Sequence, residues 1–149
     1  MVEKQHIVTA FDEDLATLND MMARMGALAE SQLFASTEAL ITRNPSDLDD
    51  IIKRDKKLDD LEAVLNEKVI EIIALRAPRA ADLRRVIVAL KVASTLERIG
   101  DLAKNIAKIN KVILDTTLKT QMLPSIRTMT SMVLKILNKT LDAYVDVDA

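Results

Sequence analysis

Two rows of oxygen-bearing side chains stand out in the sequence. One is Asp55, Asp59, Glu62 and Asn66; the other is Ser94, Glu97, Asp101 and Asn105. Their members recur every three or four residues, the spacing that stacks side chains on one helix face. Carboxylates and amides arranged in this way, without His or Cys, suit hard cations such as Mg, Mn, Fe or Ca better than Zn. Ferritin-like di-iron oxygen chemistry is disfavoured. It draws on Glu-x-x-His pairs from facing helices, and the single histidine, His6, lies near the N-terminus.

Both rows continue apolar stripes. Leu48 and Ile52 precede the first, and Val69 and Ile73 follow it, while Leu83, Ile87 and Leu90 lead into the second. The adjoining arcs carry Leu58, Leu61 and Leu65 on one side and Ala93, Leu96, Gly100 and Ala107 on the other. The acids therefore belong to the shoulder of a buried stripe. Gly100 weakens its helix but admits a close neighbour.

Pro78 lies midway between the rows. In a hairpin turning there, Asp55 comes level with Asp101, Asp59 with Glu97, and Glu62 with Ser94. Five carboxylates then share one height. Two like charges about 4 Å apart repel by roughly 4 kcal/mol at an effective dielectric near 20. Protonation with raised pKa values offers one relief. Pairing with Arg54, Lys56, Arg98 or Lys104 offers another, and cations between the acids a third. The plainest arrangement is a solvated face, with Asp101 paired to Lys104 or Lys108 one turn away.

Breakers divide the chain into four helices, expected over about 8–43, 46–76, 80–114 and 123–146. In the first, Leu15, Leu18, Met22, Met25, Leu28, Ala29, Leu33, Ala39 and Leu40 keep helical spacing, and Gly26 interrupts it. Asn44 reads as the N-cap of the second helix, with Pro45 in its first turn. Short joints imply antiparallel neighbours, with rods of roughly 45 Å. The fold class is all-α, an antiparallel bundle of long helices. A weak repeat pairs "MGALAESQLFASTEALITRN" from Met25 with "MTSMVLKILNKTLDAYVDVD" from Met129.

Composition agrees. The chain has 149 residues, 49% apolar and 30% charged, with two glycines, three prolines and 2% aromatics. That suits helices packed by aliphatic residues and suits a sheet badly. A net charge of −2 argues against nucleic-acid binding. Zero cysteines and one histidine remove disulfides, thiolate metal sites and Ser-His-Asp or Cys-His catalysis. There is no membrane-spanning run and no signal-peptide pattern, so a soluble, unexported protein is expected.

The acids of "FDEDL" read as complements to the N-terminal dipole of the first helix. Seven methionines read as core filler. Arg76, Arg79, Arg84 and Arg85 form a basic cluster near the second turn, read as solvated charge open to an anion or acidic partner. There is neither a Gly-rich phosphate loop nor a nucleophile with a base.

The stretches "FDEDLATLNDMMARMGALAESQL", "RDKKLDDLE" and above all "LRAPRAADLRRVIVALKVASTLERIGDLAKNIAK" resemble the PhoU family of phosphate-transport regulators. The resemblance implies two three-helix repeats, each with two acidic Glu/Asp-x-x-x-Asp motifs that bind a multinuclear metal cluster. Carried over residue by residue, Asp55 with Asp59 and Glu97 with Asp101 supply the ligands, and Glu62 and Asn105 flank them. The implied cofactor is a divalent or trivalent metal: Fe, Mn or Mg, with Zn or Ca from the medium as substitutes. The implied role is non-enzymatic: negative regulation of phosphate uptake and phosphate-starvation signalling. It would couple a phosphate ABC transporter to a membrane sensor histidine kinase from the cytoplasm, or from the inner face of the membrane without insertion.

Family members carry two complete repeats. By this resemblance, residues 1–115 are expected to form one repeat, and 116–149 a linker and the first helix of a second, incomplete at "LDAYVDVDA". Met129, Met132, Val133, Ile136, Leu137 and Leu141 on that helix would be partly exposed, so a homodimer is expected. Two other readings remain: a metal-free helical interaction module, and a carboxylate-bridged metalloenzyme.

Overall fold

The computed structural model describes residues 2–114 and 120–146, with side chains over 10–114 and 121–145. The His6 side chain and most of the joint before the fourth helix lie outside the described residues. Four α-helices follow in order: α1 (Val2–Thr42), α2 (Leu48–Arg76), α3 (Ala81–Ile113) and, after a 3₁₀ turn at Thr120–Met122, α4 (Leu123–Asp146). No strand occurs among the described residues, and the expected all-α bundle is observed.

α1 runs farther toward the N-terminus than its breakers suggest, because no proline interrupts residues 2–42. It ends where Arg43 adopts φ 54° and the Asn44 amide donates to the Ala39 carbonyl at 3.2 Å, a left-handed helix stop. Asn44 is not the N-cap of α2, nor is Pro45 in its first turn. The Asn44 Oδ1 instead accepts from the Ser46 amide at 3.0 Å and from its hydroxyl at 2.8 Å. That local turn uses up the capping oxygen, and α2 starts only at Leu48. Its other end closes at Ala77, also left-handed, whose amide reaches the Ile73 carbonyl at 3.1 Å. Pro78 and a further positive-φ residue, Ala80, complete the turn into α3.

Cross-helix contacts fix the directions. Asp14 near the start of α1 meets Lys68 and Arg76 near the end of α2. Asp49 near the start of α2 meets Lys111 near the end of α3. Gly26 faces Leu141, and Glu30 faces Asn138. Thus α1 and α2, α2 and α3, and α1 and α4 are antiparallel. The first three helices all touch one another, whereas α4 lies mainly along α1.

The core has two parts. The larger joins Leu18, Met22, Met25 and Ala29 to Leu58, Leu65, Val69 and Ile72, and to Val86, Ala89, Ala93 and Leu96. The smaller joins Ala39, Leu48, Ile51 and Ala107. Between them lie Gln32 and Ser36 on α1, Asp55 on α2 and Gly100 on α3, all buried. The acidic stretch of the stripe is thus a polar layer dividing the core.

Candidate metal site

The register inferred from Pro78 holds for Asp55 and Asp101. The Lys104 ammonium donates to both Asp55 Oδ2 and Asp101 Oδ1, so these two carboxylates from α2 and α3 flank one nitrogen. Asp59 feels the charges of Asp55 and Asp101, and Glu97 those of Asp101, Glu62, Asp59 and Asp55. Five acids from two helices form one electrostatic unit.

Their exposures differ. Asp55 is buried at 3%. Glu62, Glu97 and Asp101 are half-buried, and Asp59 is exposed at the rim. The row therefore climbs from core to solvent, as a shoulder position requires. Asn105 is also exposed, and no hydrogen bond joins it to the acids among the described residues.

Gly100 allows this convergence. A Cβ there would come within 2.4 Å of Leu58 Cδ2 and 2.9 Å of Gln32 Oε1. A larger residue would force the Leu58 and Gln32 side chains to shift. Gln32 is the site residue that sequence reasoning missed. The signal was available: it interrupts the stripe of Met25, Ala29, Leu33 and Ala39 at a core position.

The site's charge is only partly balanced. Among the described residues, ion pairs reach Asp55 and Asp101, through Lys104, but not Asp59, Glu62 or Glu97. Lost solvent contact and then the Asp55 charge push the Asp59 carboxyl above its usual range, although Lys104 opposes them. Glu97 is raised by desolvation and by four neighbouring carboxylates, Asp101 foremost. The Lys104 hydrogen bond, against some desolvation, holds Asp101 below its usual range. Two of the three remedies open to crowded acids are thus present: a paired lysine and raised pKa values.

The donors fit a hard cation in chemistry. Asp55 Oδ1 is buried without a hydrogen-bond partner, and surplus negative charge surrounds it. They do not form a finished cage. Among the described residues no group of three or more His, Cys, Asp or Glu is arranged to hold a metal ion. A cation would have to contend with Lys104 for Asp55 and Asp101.

The remaining candidates resolve differently. The acids of "FDEDL" are not at a helix N-terminus, since α1 begins at Val2. Asp14 instead accepts from Lys68 at 2.8 Å and Arg76 at 2.9 Å, clamping α1 to α2. Arg76 is therefore a structural member of the basic cluster. With Arg79, Arg85, Asp12, Asp82 and Phe11 it lines a cleft of about 410 Å³ beside the second turn.

The sequence pattern of the PhoU domain matches residues 22–109, more than half the chain and the whole acidic layer. The chain belongs to the PhoU family. PhoU relatives named "Phosphate-specific transport system accessory protein PhoU homolog" are similar along most of its length. The one from Zymomonas mobilis is 42% identical over 139 residues, 93% of this chain and 58% of the relative. The one from Caulobacter vibrioides is 36% identical over 144 residues, 97% and 63%. The one from Rhizobium meliloti is 35% identical over 139 residues, 93% and 59%. The chain thus spans about three fifths of the length of these PhoU relatives. Among the described residues no helix is long and apolar enough to cross a membrane.

Proposed function

We propose that this PhoU-family chain is a non-enzymatic negative regulator of phosphate uptake and phosphate-starvation signalling. It acts in the cytoplasm, at the inner face of the membrane, between a phosphate ABC transporter and a sensor histidine kinase. The transport role is supported by the names of its relatives. The sequence holds no nucleophile paired with a base, and Lys104 donates to both Asp55 and Asp101. A binding role suits such a site better than turnover. The apolar residues of α4 support a homodimer.

The same reading gives the acidic layer a metal, Fe, Mn or Mg, held by Asp55, Asp59, Glu97 and Asp101, with Glu62 and Asn105 at its edge. The buried, unpartnered Asp55 Oδ1 among surplus negative charge carries this reading. A bound metal would supply positive charge that offsets the crowded carboxylates of α2 and α3, whose oxygens would be its ligands. The chain's own residues set the register, exclude water on the Gly100 side and leave Asp59 at the open rim. A metal-free interaction module is the second reading, favoured by Lys104, which already bridges Asp55 and Asp101.

Melting curves separate the two. A cation at one hundred times its Kd stabilises by about 2.7 kcal/mol. The melting temperature should rise with Mn(II) relative to chelator, and Asp59→Asn should erase the rise. In chelator the same substitution should gain a few tenths of a kcal/mol, because it relieves an i,i+4 like-charge pair with Asp55. A wild-type curve indifferent to Mn(II), Fe and Mg supports the metal-free module. The regulatory role is tested by a phosphate-starvation reporter in cells lacking the protein. Restored repression is expected with the wild type, and an unaltered reporter would overturn the role.

A further inference from the structure

We propose that Gln32 is an inner ligand of the cation site: a hard divalent cation sits against its side-chain carbonyl and Asp55 Oδ1, below the surface carboxylates. The inference rests on the metal reading above and extends it to a third helix.

Two buried groups carry it. Gln32 is 3% exposed, and neither its Oε1 nor its Nε2 has a hydrogen-bond partner. Asp55 is 3% exposed, with Oδ2 taken by Lys104 and Oδ1 left alone. Both orphaned oxygens lie over Gly100. A Cβ placed there would be 2.9 Å from Gln32 Oε1 and 3.4 Å from Asp55 Oδ1. Two acceptors thus border the same glycine, and neither has a donor.

Leaving a buried polar group unpaired costs more than an ordinary hydrogen bond returns. An uncharged residue here would be expected to be apolar, like Ala29 and Ala39 on the same helix. A cation between the oxygens gives both of them a partner. Hard cations take amide carbonyls together with carboxylates as ligands, and the neutral carbonyl adds a ligand without further repulsion. A Gln whose amide nitrogen faced Asp55 would be a plain hydrogen-bond donor and need no cation. The two orientations differ by one side-chain flip, and they predict opposite effects of substitution.

The test uses the full chain, stripped with chelator and titrated with Mn(II) by calorimetry, with melting temperatures measured in chelator alone. Gln32→Met keeps the shape and removes the polar atoms; Gln32→Glu keeps the shape and adds charge. The inner-ligand role predicts that Gln32→Met weakens Mn(II) binding by about tenfold or more, the scale on which supporting groups act at metal sites. Its melting temperature in chelator should be equal to or above that of the wild type. Gln32→Glu should bind Mn(II) at least as tightly as the wild type and melt lower in chelator. Unchanged Mn(II) affinity in Gln32→Met overturns the inference, as does a lower melting temperature in chelator, which marks a plain donor. If Asp59→Asn loses Mn(II) while Gln32→Met keeps it, only the inner ligand fails. If the wild type binds none of Mn(II), Fe(II) and Mg(II), the metal reading fails with it.

Discussion

At the scale of single residues, the charges divide into a satisfied set and an unsatisfied one. Asp14 is satisfied. Burial alone would raise its pKa, but hydrogen bonds from Lys68 and Arg76 outweigh burial and hold it below the usual range. A depressed carboxyl contributes stability above its unfolded value, near 3.9. That contribution disappears as pH falls through the folded value. Asp14→Asn should therefore cost about 2 kcal/mol at neutral pH, the scale of hydrogen bonds to a charged group. The gap to the wild type should narrow below about pH 4, as denaturant melts across pH would record. The sequence disclosed the acids around Asp55 and Glu97 because their spacing repeats in both helices. It hid the role of Asp14, since an ion pair between residues 62 apart leaves no local pattern. Gln32 was overlooked because a single polar residue in a stripe is easily read as tolerance rather than design. Asn105 continues the row by spacing and by resemblance, but it is exposed and no hydrogen bond joins it to the acids among the described residues.

At the scale of elements, the helices were legible where apolar periodicity ran long, and less so at their ends. α2 begins two residues beyond the expected position because Asn44 serves its own turn. The α2–α3 turn is tight enough to set the register, but it uses unusual backbone. Ala77 has φ 46° and ψ 52°, in the left-handed region where a Cβ is penalised by roughly 1 kcal/mol. Ala77→Gly should therefore stabilise the chain by up to about 1 kcal/mol, less the entropy that glycine gains when unfolded. Thermal melts with and without the substitution provide the measurement. No change in Mn(II) binding should accompany it, because the turn lies several helical turns from the acids.

At the scale of the whole molecule, α1 is the common partner and α4 the outlier. The expectation that α4 would be partly exposed holds for Met129, Met132, Val133 and Ile136, which are 64%, 61%, 46% and 63% exposed. It holds also for Leu141, half-buried over Gly26, and fails for Leu137, buried at 7% in the larger core. Ile136, Val133 and Thr140 line an apolar cleft of about 290 Å³ with Val92, Thr95 and Ile99 of α3. An open surface of this kind favours association. Sedimentation should show the wild type heavier than a monomer at micromolar concentration, with Ile136→Lys shifting it to the monomer while its helical circular dichroism is retained.

The seam of Gln32, Asp55 and Gly100 also acts as a mechanical detent. Long aliphatic rods can slide past one another by a turn, about 5.4 Å, with little loss of contact. Sliding here would part Asp55 from Lys104 and carry its charge against apolar core residues, at a desolvation cost of several kcal/mol. One interrupted layer therefore fixes the axial setting of three helices, which greasy contact alone would leave loose.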